Sequence, residues 1–286
     1  PWRLSFWTCS KDAIGNKDIP APRLLRNAMR TLKSEIKVFD SHFHIIDDRF
    51  PLVANQGYLP GNFTCADYLE RARKLKIAGG AIVSGSFQAF DQTYLVTALE
   101  ELGPTFVGVT QLPASVPDEE IMRLNAAGVR AVRFNLRRGG SEGVERLDDL
   151  ARRVHEIAGW HVELYIDSRH LTEVYCILVA LPAVSIDHLG LSRAGFDTLL
   201  KLVEHGVHVK ATGFGRVDFD VMPAMKTIVS INPDALMFGT DLPSTRADRP
   251  FRDEDVNVIL DAFDAESARK ILYENAVAFY RPRATV

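Results

Sequence analysis

The sequence predicts an α/β protein folded as a single (β/α)₈ TIM barrel, preceded by an N-terminal arm and followed by extra helices. Three observations lead to this. Short apolar, β-branched runs alternate with helical patterns along almost the whole chain. They make eight strand-then-helix units, which favours a closed barrel over an open doubly wound sheet. No GxGxxG follows any of the runs, which weakens a dinucleotide-binding sheet.

Taken in order, residues 1–36 read as an irregular arm with a short helix from Pro22 to Ile36. Lys11, Asp12, Lys17 and Asp18 break any apolar core that a signal peptide would need. The strand candidates are Lys37–Ile45, Gly80–Ser84, Thr105–Gln111, Val129–Asn135, Trp160–Ile166, Ala183–Asp187, Val207–Thr212 and Leu236–Thr240. Between them, Cys65–Lys76 carries Ala66, Leu69, Ala72 and Leu75 at helical spacing, and Val144–Ile157 and Arg193–Glu204 keep the same period. Further helices open near Asp91 and at Pro117-Asp118. Two helical segments, Asp253–Phe263 and Ala265–Phe279, follow the last strand. No linker or low-complexity stretch divides residues 37–286, so they form one domain.

The composition agrees. Of 286 residues, 47% are hydrophobic and 25% charged, which is globular, and a chain this long buries a core without disulfides or a structural metal. The net charge of -3, from 34 basic and 37 acidic residues, gives no pull toward nucleic acid or an anionic membrane surface. No apolar run approaches the ~20 residues of a membrane span. Cys9, Cys65 and Cys176 are widely spaced and form no CxxC pair, which suggests a reducing compartment, the cytoplasm. A monomer and a homodimer stay equally open.

Chemistry in a barrel gathers at the C-terminal ends of the strands. Residues two apart on a strand share a face, so Asp40, His42 and His44 are expected to point the same way. Core packing alone rarely places two imidazoles and a carboxylate inward; the bland alternative is a pair of hydrogen-bonded core histidines. The eighth strand ends at Asp241, a candidate general base or metal ligand, or else a loop cap. The sixth ends at Asp187-His188, where His188 could polarise a carbonyl or be a turn residue.

Arg133, Asn135, Arg137, Arg138, Lys210, Arg216 and Arg246 bring cations to strand ends. They would suit an anionic small molecule with more than one carboxylate, although ordinary surface charge is the alternative for each. Arg133 stands apart because Val132 and Phe134 flank it within the strand. Ser86 and Tyr165 could hydrogen-bond substrate. His155, His161, His170, His205 and His208 are assigned structural places, and Gly139-Gly140 is a turn, not a phosphate loop.

Phe39-Asp40-Ser41-His42-Phe43-His44, Ile186-Asp187-His188-Leu189-Gly190 and Phe238-Gly239-Thr240-Asp241-Leu242-Pro243 together resemble the amidohydrolase superfamily. More narrowly they resemble its branch of 2-pyrone-4,6-dicarboxylate lactonases. The likeness runs over roughly residues 37–280 and includes Val132–Asn135, Gly159–Leu164 and Ile271–Ala276. It implies a hydrolase that opens a lactone ring, with Asp241 activating water and His42, His44 and His188 polarising the carbonyl. Arg133 and Arg216 would hold substrate carboxylates, with Arg137 or Arg138 as a looser match, Arg137 being preferred.

Leu242-Pro243-Ser244-Thr245-Arg246 departs from the tryptophan- and histidine-containing loop of that branch, so the expected substrate is 2-pyrone-4,6-dicarboxylate or a related compound, such as a sugar lactone or a muconolactone-like acid. Metal-dependent members carry His or carboxylated Lys on strands four or five; here Tyr165 ends strand five and strand four has no Lys. The expectation is therefore no obligatory metal, with His42, His44 and Asp241 able to hold a zinc or manganese ion only weakly. Two other readings stay open: a metal-dependent amide hydrolase or decarboxylase of the same superfamily, and a non-catalytic barrel that binds a small anion.

Overall fold

The computed structural model describes residues 35–285. The arm and the Pro22–Ile36 helix therefore lie almost wholly outside the described residues. The eight strands are β1 (Val38–Phe43), β2 (Ile77–Val83), β3 (Phe106–Thr110), β4 (Val129–Phe134), β5 (His161–Leu164), β6 (Val184–Ile186), β7 (His208–Ala211) and β8 (Leu236–Phe238). They pair in parallel, in sequence order. Just beyond β8, the Asp241 amide donates to His42 O at 2.7 Å and the His44 amide to Leu242 O at 2.8 Å, which ties the last strand's end to the first. This is the (β/α)₈ barrel the alternation predicts.

The helices are α1 (Cys65–Ala72), α2 (Thr93–Leu102), α3 (Asp118–Ala127), α4 (Leu147–Ala158), α5 (Leu171–Ala180), α6 (Phe196–Glu204), α7 (Val221–Ile231), α8 (Glu254–Ala262), α9 (Ala265–Arg269) and α10 (Asn275–Tyr280). Their starts follow local chemistry. Thr64 and Asp67 form a capping box on α1, and Asp220 and Asp264 accept amides at the starts of α7 and α9. Several helices are shorter than their periodicity suggests, because the flanking turns wind as 3₁₀ segments, as at Val144–Arg146 and Arg193–Gly195. The expected final helix Ala265–Phe279 holds a π turn at Lys270–Glu274, between α9 and α10.

There are two apolar layers. The larger lies between strands and helices; the smaller fills the barrel with Phe39, Ala81, Val83, Val107, Val109, Ala131 and Met237, closed off by Ala276 and Tyr280 of α10. Among the described residues no helix is long and apolar enough to cross a membrane.

One sequence expectation fails in β1. Its pairing with β2 shifts register between Asp40 and Phe43, so the two-residue alternation breaks there. Phe39 faces the barrel interior and His42 and His44 face the site, but Asp40 turns to the helix layer. There it accepts hydrogen bonds from Tyr68 of α1 (3.1 Å), the Thr240 hydroxyl (2.6 Å), the Thr240 amide (2.8 Å) and the His42 amide (3.2 Å). Asp40 thus bolts the β1–β8 seam instead of joining the two histidines.

Burial pushes the Asp40 carboxyl up from 3.8 to about 6, against the opposing pull of these donors. A carboxyl raised in the folded state stabilises fully below its unfolded value, and that contribution fades as pH rises through about 6. The size is about 3 kcal/mol. Asp40→Asn should therefore gain about 3 kcal/mol relative to the parent between about pH 4 and about pH 7, as read by urea unfolding. A difference that stays flat across this range would remove the burial account of Asp40.

Candidate active site

At the C-terminal ends of the strands an open cavity is lined by His44, Gly85, Ser86, Phe87, Arg133, Asn135, Arg138, Tyr165, His188, Arg216, Asp241, Thr245 and Arg246. The elements that meet there are the ends of β1, β2, β4, β5, β6, β7 and β8 with their following loops. His42, fully buried, lies directly beneath.

The centre is a set of polar atoms left open. Arg216 donates from Nε to Asp241 Oδ2 at 2.7 Å and from Nη2 to Thr245 O at 2.8 Å, which fixes the carboxylate and turns Oδ1 inward. Asp241 Oδ1 stands 3.9 Å from His42 Nε2 and 3.9 Å from His44 Nε2. Asp241 Oδ1, His42 Nε2 and His188 Nδ1 are buried without a hydrogen-bond partner. His44 Nδ1 meets Val83 O at 2.7 Å; a carbonyl only accepts, so Nδ1 carries the proton and Nε2 presents a lone pair toward Asp241.

Burial pushes the pKa values of His44 and His188 well below the ordinary imidazole value, and His42, Arg133 and Arg216 nearby push the same way. His42 is also lowered by burial, with Asp187 opposing. The three rings are therefore neutral near pH 7.

The backbone serves this arrangement at a cost. Asp241 (φ 61°) and His188 (φ 51°) both sit in the left-handed region, worth roughly 1–3 kcal/mol of strain each for such residues. Glycines make room beside them. A Cβ at Gly213 (φ 59°) would lie 2.6 Å from His188 Nδ1, and one at Gly239 would lie 2.7 Å from the His42 amide nitrogen.

Below the centre runs a buried ionic network. Asp187 accepts from Arg133 Nη2 (2.8 Å) and Nε (3.2 Å), and its other oxygen lies 3.3 Å from His42 Nδ1 and 3.4 Å from Lys210 Nζ. Lys210 donates to Glu163, which also accepts from the Tyr280 hydroxyl (2.5 Å) and meets His161 Nε2 at 3.1 Å. Burial opposes the charge on Glu163 and Asp187, but Lys210 and its neighbours hold both below the usual carboxylate range.

The cavity brings together His44, Ser86, Arg133, Tyr165, His188, Arg216 and Asp241, with His42 at its base. Three sequence assignments change. Lys210 does not reach the mouth: it is fully buried and paired below it. Arg137 is exposed and turned into a neighbouring groove with Leu136, Val144 and Ile166, whereas Arg138 lines the cavity. Arg133 does line the cavity, but Asp187 and Ser84 O take three of its N–H groups, and truncating it would strand the buried Asp187 charge.

The sequence reading gave no role to Glu163, Asp187 or Tyr280. Period-two alternation through His161, Glu163 and Tyr165 would have placed Glu163 inward. The five histidines given structural places all lie outside the cavity; His161 and His208, for example, pack their rings 4.1 Å from Phe279 at the opposite end of the barrel.

The ligand atoms of His42, His188 and Asp241 lie within 4.8 Å of one another, a donor set that fits a divalent ion. His188, whose ring centroid lies 4.8 Å from that of His42, stands in this group where the sequence reading had His44. Arg216 on the second Asp241 oxygen competes with such an ion, and Arg133 and Tyr165 stand where strands four and five would supply a further donor.

Among curated proteins, the chain is 27% identical to a 2-pyrone-4,6-dicarboxylate hydrolase of Comamonas testosteroni, over 85% of this chain and 90% of that protein. It is 28% identical to a 4-sulfomuconolactone hydrolase of Rhizobium radiobacter, over 85% and 89%. A structure from Acinetobacter baumannii, solved with citric acid bound, superposes with a TM-score of 0.74 at 20% identity, over 86% of this chain and 100% of that one, a likeness of fold. The amidohydrolase family model matches residues 39–281, from β1 to the end of the helix that closes the barrel, and the chain belongs to the amidohydrolase family.

Proposed function

We propose that this protein is a hydrolase that opens the ring of an anionic lactone, with Asp241 activating the water. The observation that carries this is Asp241 Oδ1, held open by Arg216 and facing His44 Nε2 across 3.9 Å in an arginine-lined cavity. Both atoms accept hydrogen bonds, and one water donating to both fits between them. The relatives support the reading, since each is named for hydrolysing a lactone or pyrone that carries carboxylate or sulfonate groups.

In the proposed reaction, water adds to the lactone carbonyl carbon as its proton passes to Asp241. The oxyanion then collapses, the ring C–O bond breaks, and the ring oxygen leaves with the proton returned by Asp241. His42 and His188 position the carbonyl, and Arg216 with the uncommitted N–H groups of Arg133 supplies the positive field for the oxyanion. Ser86 and Tyr165 line the wall and offer hydroxyls to the substrate. A divalent ion held by His42, His188 and Asp241 would act as a Lewis acid on the carbonyl. We place it outside the obligatory machinery, because guanidinium groups already compensate Asp241. The small-molecule substrate is the partner this site requires.

Asp241→Asn should lower kcat by about 10³-fold with KM nearly unchanged; turnover at the parent rate would remove the base. Hydrolysis of 2-pyrone-4,6-dicarboxylate, muconolactones and sugar lactones should survive excess chelator. Activity lost to chelator and restored by zinc or manganese would instead make the ion essential, and release of carbon dioxide would mark a decarboxylase. A lactone bound tightly but recovered unchanged would favour a non-catalytic barrel. Gly213→Ala should drive a methyl into His188 and reduce kcat/KM by about 100-fold. An unchanged kcat/KM would take His188 out of the reacting centre.

A further inference from the structure

The charges lining the cavity do not cancel, and the remainder is localised. Arg133 is paired with Asp187, and Arg216 with Asp241. That leaves Arg138 and Arg246, which have no carboxylate partner within 4 Å among the described residues. They come from different loops, after β4 and after β8, yet each lines the same cavity. Burial and the neighbouring Arg138 both depress Arg246, so the two guanidiniums repel each other.

Two like charges held together need a scaffold, and the loop after β1 provides it. Asn55 donates from Nδ2 to Arg138 O at 3.1 Å and accepts from Arg246 Nη1 at 3.2 Å, so one side chain bridges both arginine-bearing loops. Arg246 Nη2 also donates to Asn55 O, and its guanidinium stacks 4.3 Å over the Tyr58 ring. Asn55 and Tyr58 are locked together by a reciprocal pair of main-chain bonds of 2.9 and 3.0 Å. Arg246 takes φ 58° and Ser244 takes φ 67°, strain of a kind that gathers at ligand clamps.

We infer that Arg246, braced by Asn55 and Tyr58 opposite Arg138, determines specificity by holding a fully charged carboxylate or sulfonate substituent of the lactone. The pair lines the same cavity as Asp241, so the clamp would hold the substituent while the carbonyl lies at the centre. This rests on the lactone-hydrolase reading for its substrate, but the clamp itself can be tested without turnover. Arg133 and Arg216, the clamps expected from the resemblance, keep their carboxylate partners and orient the site from within.

The test is calorimetric binding of isophthalate, a planar dicarboxylate with no lactone bond, and of isophthalamide, its uncharged counterpart of the same shape. The parent should prefer isophthalate. Arg246→Met should weaken isophthalate by about 30-fold and leave isophthalamide nearly unchanged, and Arg246→Lys should keep part of the preference. An unchanged affinity for isophthalate, equal losses for both ligands, or no preference in the parent would overturn the clamp. The two readings fail separately: a protein that binds isophthalate through Arg246 but opens no lactone refutes the hydrolase and keeps the clamp. One that opens lactones while Arg246→Met leaves the isophthalate preference intact does the reverse.

Discussion

The structure turns on four charged side chains buried together beneath the site: Glu163, Lys210, Asp187 and Arg133. Two anions and two cations are removed from water in the middle of the barrel, where isolating any one would cost several kcal/mol. Only the complete set is tolerable, so each strand that supplies a member is fixed relative to the others. β4, β5 and β7, together with the end of β6, are bound to one another through side chains as well as through the ladder. Tyr280 extends the set to α10, so the helix that closes the barrel also supports the floor of the site. His42 stands on this floor with Asp187 and Lys210 both against its Nδ1, which leaves its Nε2 facing the cavity.

Above the floor, charge is layered. The network is internally paired; the three imidazoles over it are neutral, because burial and the surrounding cations disfavour protonation. Above them Asp241 and Arg216 form a second pair, and the outermost guanidiniums, Arg138 and Arg246, have no carboxylate partner among the described residues. An anionic ligand would meet positive charge at the entrance and neutral imidazoles at the centre. In the proposed reading that order directs its charged substituent outward and its carbonyl inward without any moving part.

Much of this was legible in the sequence. Strand positions emerged because each βα unit repeats the same apolar alternation, and His42, His44, His188 and Asp241 could be named because polar residues at strand ends stand out against it. What escaped depends on distance in the chain. The role of Arg133 is decided by Asp187, 54 residues away, and that of Lys210 by Glu163, 47 residues away. Sequence shows cations but not their partners, so cations already neutralised looked equal to free ones. Asp40 was misplaced for a local reason: strand alternation assumes a regular ladder, and β1 is irregular between Asp40 and Phe43. The choice of Arg138 over Arg137 depended on the turn after β4, where the Asn135 side chain captures the Arg138 amide at 3.0 Å.

The reacting centre also constrains what can occupy it. His44 Nε2 is a lone pair by its bond to Val83 O, and Asp241 Oδ1 is a carboxylate oxygen, so neither can donate to the other across 3.9 Å. Two acceptors held face to face in a buried site demand a donor or a cation between them. A water answers that demand and, in the proposed mechanism, is at once placed for deprotonation by Asp241. An ion answers it too, but it must share Asp241 with Arg216, and the guanidinium is built into the fold through Thr245 O as well as through the carboxylate. In the proposed mechanism the arginine that orients Asp241 therefore biases the centre toward water, and the strain of the loop after β8, with left-handed residues at Asp241, Ser244 and Arg246, is the cost of that bias.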